Sequence, residues 1–442
     1  LDPKSRADPY TFLRSLPMGQ PVEITLPGEK VWRGTLVPAH ELSGERIVQL
    51  KLESGYNVGI RVPPDANVQL LSSGPAPANG SGRPATSPAS AAAPGTEDPP
   101  WVTLLTTGGT IASRVDYRTG GVRPVQDEGE ILAFYPDLSA GGPVRIEPVL
   151  DRLSEEISPD DWQVLADRVA RAFVGGARGV VIAHGTDTLG YTAAALSFLL
   201  DDLTGPVVVV GAQRSPDRPS SDGVSNLSAA VQLARGSDLG EVVVVMHEGL
   251  SDDRFSIHRG SRVRKMHSSR RDAFRSRNGP PLGYVDTLGI HLSEKYRARS
   301  EGPTRVSSRL DTRASIVWFH PGLDPTRVAH AVDGLRGVVL AGTGLGHVSS
   351  VHLPWIRAAV SRGVVVVMTT QCLEGEADPY VYSTGRELLK SGVLYGRDLL
   401  PEVAFVKLLW ALGLSSDPAE VRRLMSADRA GEFTPRHMPG PL

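Results

Sequence analysis

Hydrophobic positions are distributed in three different ways along the chain. Between residues 19 and 71 they come in short runs rich in β-branched and aliphatic residues: Pro21 to Leu26, Val31 to Val37, Ile47 to Leu52 and Asn57 to Val62. Turn-forming stretches (PGEK, SGER, ESGY) divide these runs. Runs of that length with tight turns predict a small β-barrel, a module with little core that more often docks than catalyses. From Ser72 to Pro100, 23 of 29 residues are Gly, Pro, Ala or Ser and none is a large apolar one, so this stretch reads as a flexible linker. After Trp101 compact aliphatic runs alternate with amphipathic segments. VTLLT at 102, GVVIA at 179, VVVVGA at 207 and EVVVVM at 241 read as strands apolar on both faces. Trp162 to Phe173 and Tyr191 to Leu200 read as helices between them. Such alternation predicts a parallel sheet covered on both sides. SIVWF at 315, GVVLA at 337 and GVVVVM at 363 repeat the pattern, joined to the first set by the stretch around Tyr296 to Asp311. The expected organisation is a small barrel over 1–71, a linker over 72–100, one α/β domain over 101–300 and a second over 312–442.

Composition narrows the function classes. The chain has 442 residues, with 47 Lys and Arg against 49 Asp and Glu, so it is not a protein that binds nucleic acid by overall charge. One cysteine, Cys372, forms neither an internal disulfide nor a multi-cysteine zinc site, and it is expected as a buried small hydrophobe. His184, His258, His267 and His347 lack metal-ligand spacing, and no metal is expected. No apolar run reaches the roughly 18–20 residues of a membrane span, and Leu1 to Tyr10 lacks a signal-peptide stretch, so a cytoplasmic protein is expected. The exception to balanced charge is local. Residues 254 to 277 hold nine Lys or Arg, which suits either a phosphate-bearing partner or internal ion pairs.

Open parallel sheets bind ligands beyond the carboxyl ends of their strands. Two polar, glycine-bearing turns sit at such ends: Thr107-Gly108-Gly109-Thr110 and His184-Gly185-Thr186-Asp187-Thr188. A threonine hydroxyl becomes a nucleophile when a base takes its proton, and Asp187 with a lysine would serve. On residues alone two readings stay open, nucleophilic catalysis by threonine and plain substrate binding by glycine-rich turns. The GTGLGH turn at 342 to 347 lacks an acidic ribose partner and reads as structural.

TTGGTIA at 106 to 112 together with HGTDTL at 184 to 189 resembles the paired signature of the L-asparaginase/glutaminase family, and VVVVGAQRSPDRPSSDGVSNLSAAV at 207 to 231 resembles another of its segments. The resemblance covers about residues 101 to 430. It implies a two-domain α/β amidohydrolase in which a threonine attacks a side-chain amide and ammonia leaves. By position, Thr110 corresponds to the nucleophile, Tyr117 to a tyrosine on a mobile lid, Thr186 and Asp187 to a second threonine and its aspartate, and Ser154 to a serine holding the substrate α-carboxylate. Glu155 stands where many asparaginases have Gln, and Leu345 where many have an asparagine. The family's usual Phe-Lys-Ser step reads Phe274-Arg275-Ser276 here, and an arginine does not pass protons as a lysine does. RVRKMHSSRRDAF resembles the stretch of archaeal tRNA-dependent amidotransferase D subunits that carries the catalytic lysine, which assigns Lys265. GQPVEITLPGEKVWRGTLVP and IVQLKLESGYNVGI resemble the N-terminal barrel of the same subfamily. The subfamily implies glutamine as substrate, a partner E subunit holding ATP and Mg, Glu-tRNA(Gln) bound mainly through that partner, and a homodimer within a heterotetramer. No cofactor is expected in this chain. The alternative is a stand-alone cytosolic L-asparaginase.

Overall fold

A computed structural model of the chain describes residues 8–17, 19–28, 30–37, 46–52, 57–71, 101–108, 113–115, 122–124, 138, 141–214, 221–307 and 309–434. The linker expected over 72–100 lies outside them.

The N-terminal module is a five-stranded antiparallel sheet. Its strands run in the order Asn57–Arg61, Ile47–Leu52, Lys30–Val37, Pro21–Leu26, Asn67–Leu70. Alternation does its usual work in the strand Pro21–Leu26: Val22 and Ile24 are fully buried while Pro21 and Glu23 are not. Leu36, Val48, Leu50 and Ile60 complete the core with Leu13 of the helix Pro9–Ser15. That helix starts at Asp8, whose carboxylate accepts from Thr11 N at 3.1 Å. The sequence reading missed this helix and the fifth strand. Among the described residues the two edge strands do not pair with each other, so the expected barrel is an open sheet closed over by the helix.

The first α/β unit has an eight-stranded sheet, in which Val144–Pro148, Val102–Thr106, Gly179–Ala183, Val207–Val210 and Val242–His247 lie parallel. The strands Arg254–Arg259, Gly283–Asp286 and Gly289–Leu292 continue it antiparallel. The expected parallel sheet is therefore mixed, because non-helical connections rather than helices join its last strands and reverse the chain. Inner strands are buried along their whole length, as both-face apolar runs require. Each fully buried valine stabilises the fold by roughly 1.5–3 kcal/mol. Helices Pro159–Val174, Leu189–Leu199 and Gly223–Gly236 supply the covering faces. The first of these opens on Ser158, whose backbone N–H is accepted by Asp161 at 2.8 Å, with proline at the first helical position.

In the second unit Ala314–Trp318, Gly337–Gly342, Val365–Thr370 and Leu394–Tyr395 form a parallel sheet. Its helix Pro401–Leu414 packs on Leu189–Leu199 of the first unit, with the Phe198 and Trp410 rings 6.0 Å apart. The main hydrophobic core consequently runs through both units. Among the described residues no helix is long and apolar enough to cross a membrane.

Candidate active site

Two neighbouring strands aim both candidate turns at one place. Val102–Thr106 and Gly179–Ala183 pair in parallel with Thr106 opposite Ala183, so both chains leave the sheet at the same carboxyl edge. Thr107 ties the turns together, donating to Ala183 O through its N–H and its hydroxyl, each at 3.1 Å. Gly108 has φ +95°, and a Cβ there would lie 2.6 Å from Arg152 O, so only glycine fits. In the second turn a Cβ on Gly185 would come 2.8 Å from Ser154 Cβ. Its absence lets the short helical turn Ser154–Glu156 lie against residues 185–188, and Thr188 Oγ1 donates to Ser154 O at 2.5 Å. Ser154 is buried there, its hydroxyl 3.3 Å from Glu155 Oε2.

Lys265 completes the cluster. Its Nζ donates to Thr186 Oγ1 at 2.8 Å and to Asp187 Oδ1 at 2.7 Å. The lysine side chain is 14 % exposed and the aspartate 69 %, so the group opens to solvent on the carboxylate side. An amine within hydrogen-bond reach of both a hydroxyl and a carboxylate has the geometry to pass a proton between them. The lysine projects from the strand Val263–Lys265, which pairs antiparallel with Phe274–Ser276, Lys265 facing Phe274. Arg275 faces Arg264 instead and donates to Asp272 at 2.7 Å and to Glu248 O at 3.0 Å. The arginine of the altered Phe-Arg-Ser step is thus engaged elsewhere, and the lysine across the ribbon reaches Thr186.

Behind the second turn lies a support that sequence reading did not find. His184, fully buried, has Nδ1 2.6 Å from Gly185 O and Nε2 2.8 Å from Thr192 Oγ1. Thr192 Oγ1 also accepts from Trp162 Nε1 at 3.0 Å. Gly185 O only accepts, so the proton of the neutral imidazole sits on Nδ1, and the free Nε2 accepts the threonine's own proton while the indole N–H donates to the same oxygen. Burial pushes the histidine pKa down to about 4. The signal available in sequence was a histidine closing a buried strand with a threonine one helical turn into the next helix. A third loop walls the other side. Gly211 lies where a Cβ would be 2.7 Å from Thr186 Cγ2, Asn226 Nδ2 donates to Gly211 O at 3.0 Å, and Asp222 accepts from Gln213 N and Arg214 N at 3.0 and 2.9 Å.

The structure brings Ser154, Glu155, Thr186, Asp187 and Lys265 together. Thr110 and Tyr117 lie outside the described residues. Each of the nine cations between 254 and 277 has an acidic partner within 4 Å: Arg254 with Glu248, Arg259 with Glu241, Arg262 with Asp398, Arg264 with Glu402, Lys265 with Asp187, Arg270 and Arg275 with Asp272, Arg271 with Asp252, and Arg277 with Glu374. The ion-pair reading of this run is the one the geometry favours. Cys372 corrects an expectation. It is exposed, because it sits in the turn after Val365–Thr370, where its N–H donates to Thr370 Oγ1 at 3.0 Å as the chain leaves the sheet.

Three family models match the chain: asparaginase, N-terminal, over residues 101–297; glutaminase/asparaginase C-terminal domain over 313–425; and GatD N-terminal domain over 16–71. Among curated proteins, the glutamyl-tRNA(Gln) amidotransferase D subunit of Pyrococcus furiosus is 44% identical over 416 residues, covering 93% of this chain and 93% of that protein. The protein of the same name from Saccharolobus islandicus is 42% identical over 439 residues, covering 98% and 96%. Among solved structures, the thermostable L-asparaginase from Thermococcus kodakarensis superposes with a TM-score of 0.69 at 33% identity, covering 76% of this chain and 100% of its own. L-asparaginase I from Vibrio cholerae gives a TM-score of 0.66 at 30% identity, covering 76% and 99%.

Proposed function

Because the chain belongs to the family of glutamyl-tRNA(Gln) amidotransferase D subunits, we propose that it is the glutaminase subunit of a tRNA-dependent amidotransferase. It releases ammonia from glutamine for the conversion of Glu-tRNA(Gln) to Gln-tRNA(Gln). The observation that carries this reading is extent. The D-subunit relatives match from the N-terminal module through both asparaginase-like domains, whereas the matching L-asparaginases account for 76% of the chain.

In this reading the hydroxyl of Thr110, two residues beyond Gly108 in sequence, attacks the glutamine carboxamide carbon. The amide nitrogen takes a proton and leaves as ammonia, and water then cleaves the acyl-threonine to give glutamate and restore the hydroxyl. Thr186, Lys265 and Asp187 handle the protons, a role supported by the 2.8 and 2.7 Å contacts of the lysine. Backbone N–H groups of the two turns face the developing oxyanion. Ser154 and Glu155 with Asp187 hold the α-carboxylate and α-amino groups, and Tyr117 closes over the substrate. No cofactor or metal belongs to this chain. ATP and Mg act on the E-type partner, which also holds most of the Glu-tRNA(Gln), and two copies of this chain form a homodimer within a cytoplasmic heterotetramer.

The test is reconstitution. With an E-type partner, ATP, Mg and glutamine, the complex amidates Glu-tRNA(Gln), and Thr110→Ala abolishes glutamine-dependent amidation while added ammonia restores it. Fast asparagine hydrolysis by the chain alone, without amidation in the complex, overturns the reading.

A further inference from the structure

The proton-handling lysine belongs to the first α/β unit, yet the ribbon that carries it is held at its base by other parts of the molecule. Immediately before Val263–Lys265, Ser261 Oγ donates to Ala430 O at 2.8 Å and Arg262 Nε to Gly431 O at 2.7 Å. Arg262 Nη1 also lies 3.2 Å from Asp398 Oδ2 and 3.2 Å from Asn278 O. Immediately after the partner strand Phe274–Ser276, Asn278 donates through Nδ2 to Asp398 O at 2.9 Å and accepts from Gly375 N at 2.9 Å. Asn278 has φ +55°, a left-handed conformation uncommon for a residue with a side chain and held here by these contacts. Asp398 gathers both ends: its Oδ2 further accepts from Thr434 N at 3.0 Å and Thr434 Oγ1 at 2.5 Å. The carboxylate is 1% exposed and the arginine 10%. The segment 428–434 is in turn pinned by the fully buried pair of Lys407 and Glu432, 2.6 Å apart.

We infer that Asp398 and Arg262 form a positioning pair for Lys265, so that the second α/β unit and the segment 428–434 set the glutaminase site without touching substrate. The inference rests on the proposed role of Lys265. From Arg262 to Lys265 the extended chain covers roughly 10 Å, with the pair at one end and the Thr186 and Asp187 contacts at the other. A ribbon of two three-residue strands has little stiffness of its own, and a displacement of about 1 Å at reacting groups costs on the order of a hundredfold in rate.

The experiment is a double-mutant cycle in the assembled amidotransferase, measuring glutaminase kcat, KM for glutamine and melting temperature for Asp398→Asn, Lys265→Met and their combination. Arg336→Gln, which breaks an Arg336–Asp311 pair remote from the ribbon, is the stability control. Asp398→Asn is expected to lower kcat about 10–100-fold with KM within about twofold of wild type, and to add no further loss in the Lys265→Met background. Arg336→Gln is expected to lower the melting temperature and leave kcat unchanged. Thr434→Val, which removes one donor to Asp398, follows the same pattern more weakly and answers the question if Asp398→Asn does not fold. Wild-type kcat in Asp398→Asn, or an equal fractional loss with and without Lys265, overturns the inference and leaves the function standing. Wild-type kcat in Lys265→Met removes the role of the lysine and the inference with it.

Discussion

The buried chain from Trp162 through Thr192 to His184 gives a sharp stability prediction. Thr192→Val keeps the shape of the side chain and removes one hydroxyl. That hydroxyl serves two groups at once, accepting from Trp162 Nε1 at 3.0 Å and donating to His184 Nε2 at 2.8 Å, and Thr192 and His184 are fully buried. Neither orphan finds relief. The indole N–H has no other described acceptor, and turning the histidine proton onto Nε2 would set the Nδ1 lone pair against Gly185 O at 2.6 Å. Two unsatisfied buried groups at roughly 1–3 kcal/mol each, less about 0.8 kcal/mol for the added methyl, leave a destabilisation of about 1–5 kcal/mol. For a unit of this size that is a melting shift of roughly 2–20 °C. Differential scanning calorimetry of wild type, Thr192→Val and Thr192→Ser is the assay, with the serine variant, which keeps the hydroxyl, falling far less. The turn bearing Thr186 follows His184 directly, so kcat of the valine variant falls as well. A valine variant melting within about 2 °C of wild type would refute the bonded chain.

Stability is expected to fall as pH drops from about 6.5. His184 and His258 are pushed down to about 4 and about 3 by burial, so the unfolded chain binds protons first and each histidine's contribution is lost as pH falls through its folded value; for His184 the full amplitude is on the order of 3 kcal/mol, and melting temperatures between pH 7 and 4.5 measure it. Lys265→Met is expected to lower glutaminase kcat by about 10² to 10⁴-fold with a far-ultraviolet spectrum like wild type, the size of a lost acid–base group. Lys407→Met leaves Glu432 buried without its cation and should cost about 3–5 kcal/mol, read as a lower melting temperature and faster tryptic cleavage at Arg429. Neutralising Arg254 and Arg270 together should leave the affinity of the complex for tRNA unchanged in a filter-binding titration, since both have acidic partners.

What was legible in the sequence follows what each signal measures. The valine runs at 207 and 242 and the strand at 179 emerged within a residue or two, because burial on both faces leaves a continuous apolar run. The strands Gly283–Asp286 and Gly289–Leu292 were not seen. They sit at the sheet edge, none of their residues but Val285 is buried, and without one-sided burial no alternation is written into them. The helix Pro9–Ser15 buries one residue, Leu13, too little to mark a periodic face. In the site, Thr186 and Asp187 were visible because a polar turn follows an apolar strand. The choice of Lys265 over Arg275 rested on resemblance, since alternation along a three-residue strand cannot say which side chain reaches across the crevice. Cys372 was misplaced because the expectation rested on the usual burial of a free cysteine as a small hydrophobe, while the chain here had already turned out of the sheet.

The dense charge of residues 254–277 shows how a compositional signal changes meaning once partners are known. A cluster of cations attracts phosphate only where its field is uncompensated, and here each cation meets a carboxylate. These pairs are not chiefly a source of stability. Those between half-exposed groups, such as Arg254 with Glu248, contribute about 0–1 kcal/mol, and the buried one between Arg262 and Asp398 has desolvation to set against its attraction. Three of them share a direction. Arg262, Arg264 and Arg277 reach acids of the second unit, Asp398, Glu402 and Glu374, while Lys265 between them reaches Asp187 of the first. A ribbon with three arginines paired to acids of one domain and its lysine paired to an acid of the other has its position decided by both. That explains why a catalytic lysine stands inside an arginine-rich run, where guanidinium groups, which do not titrate, can hold the frame without competing for the proton.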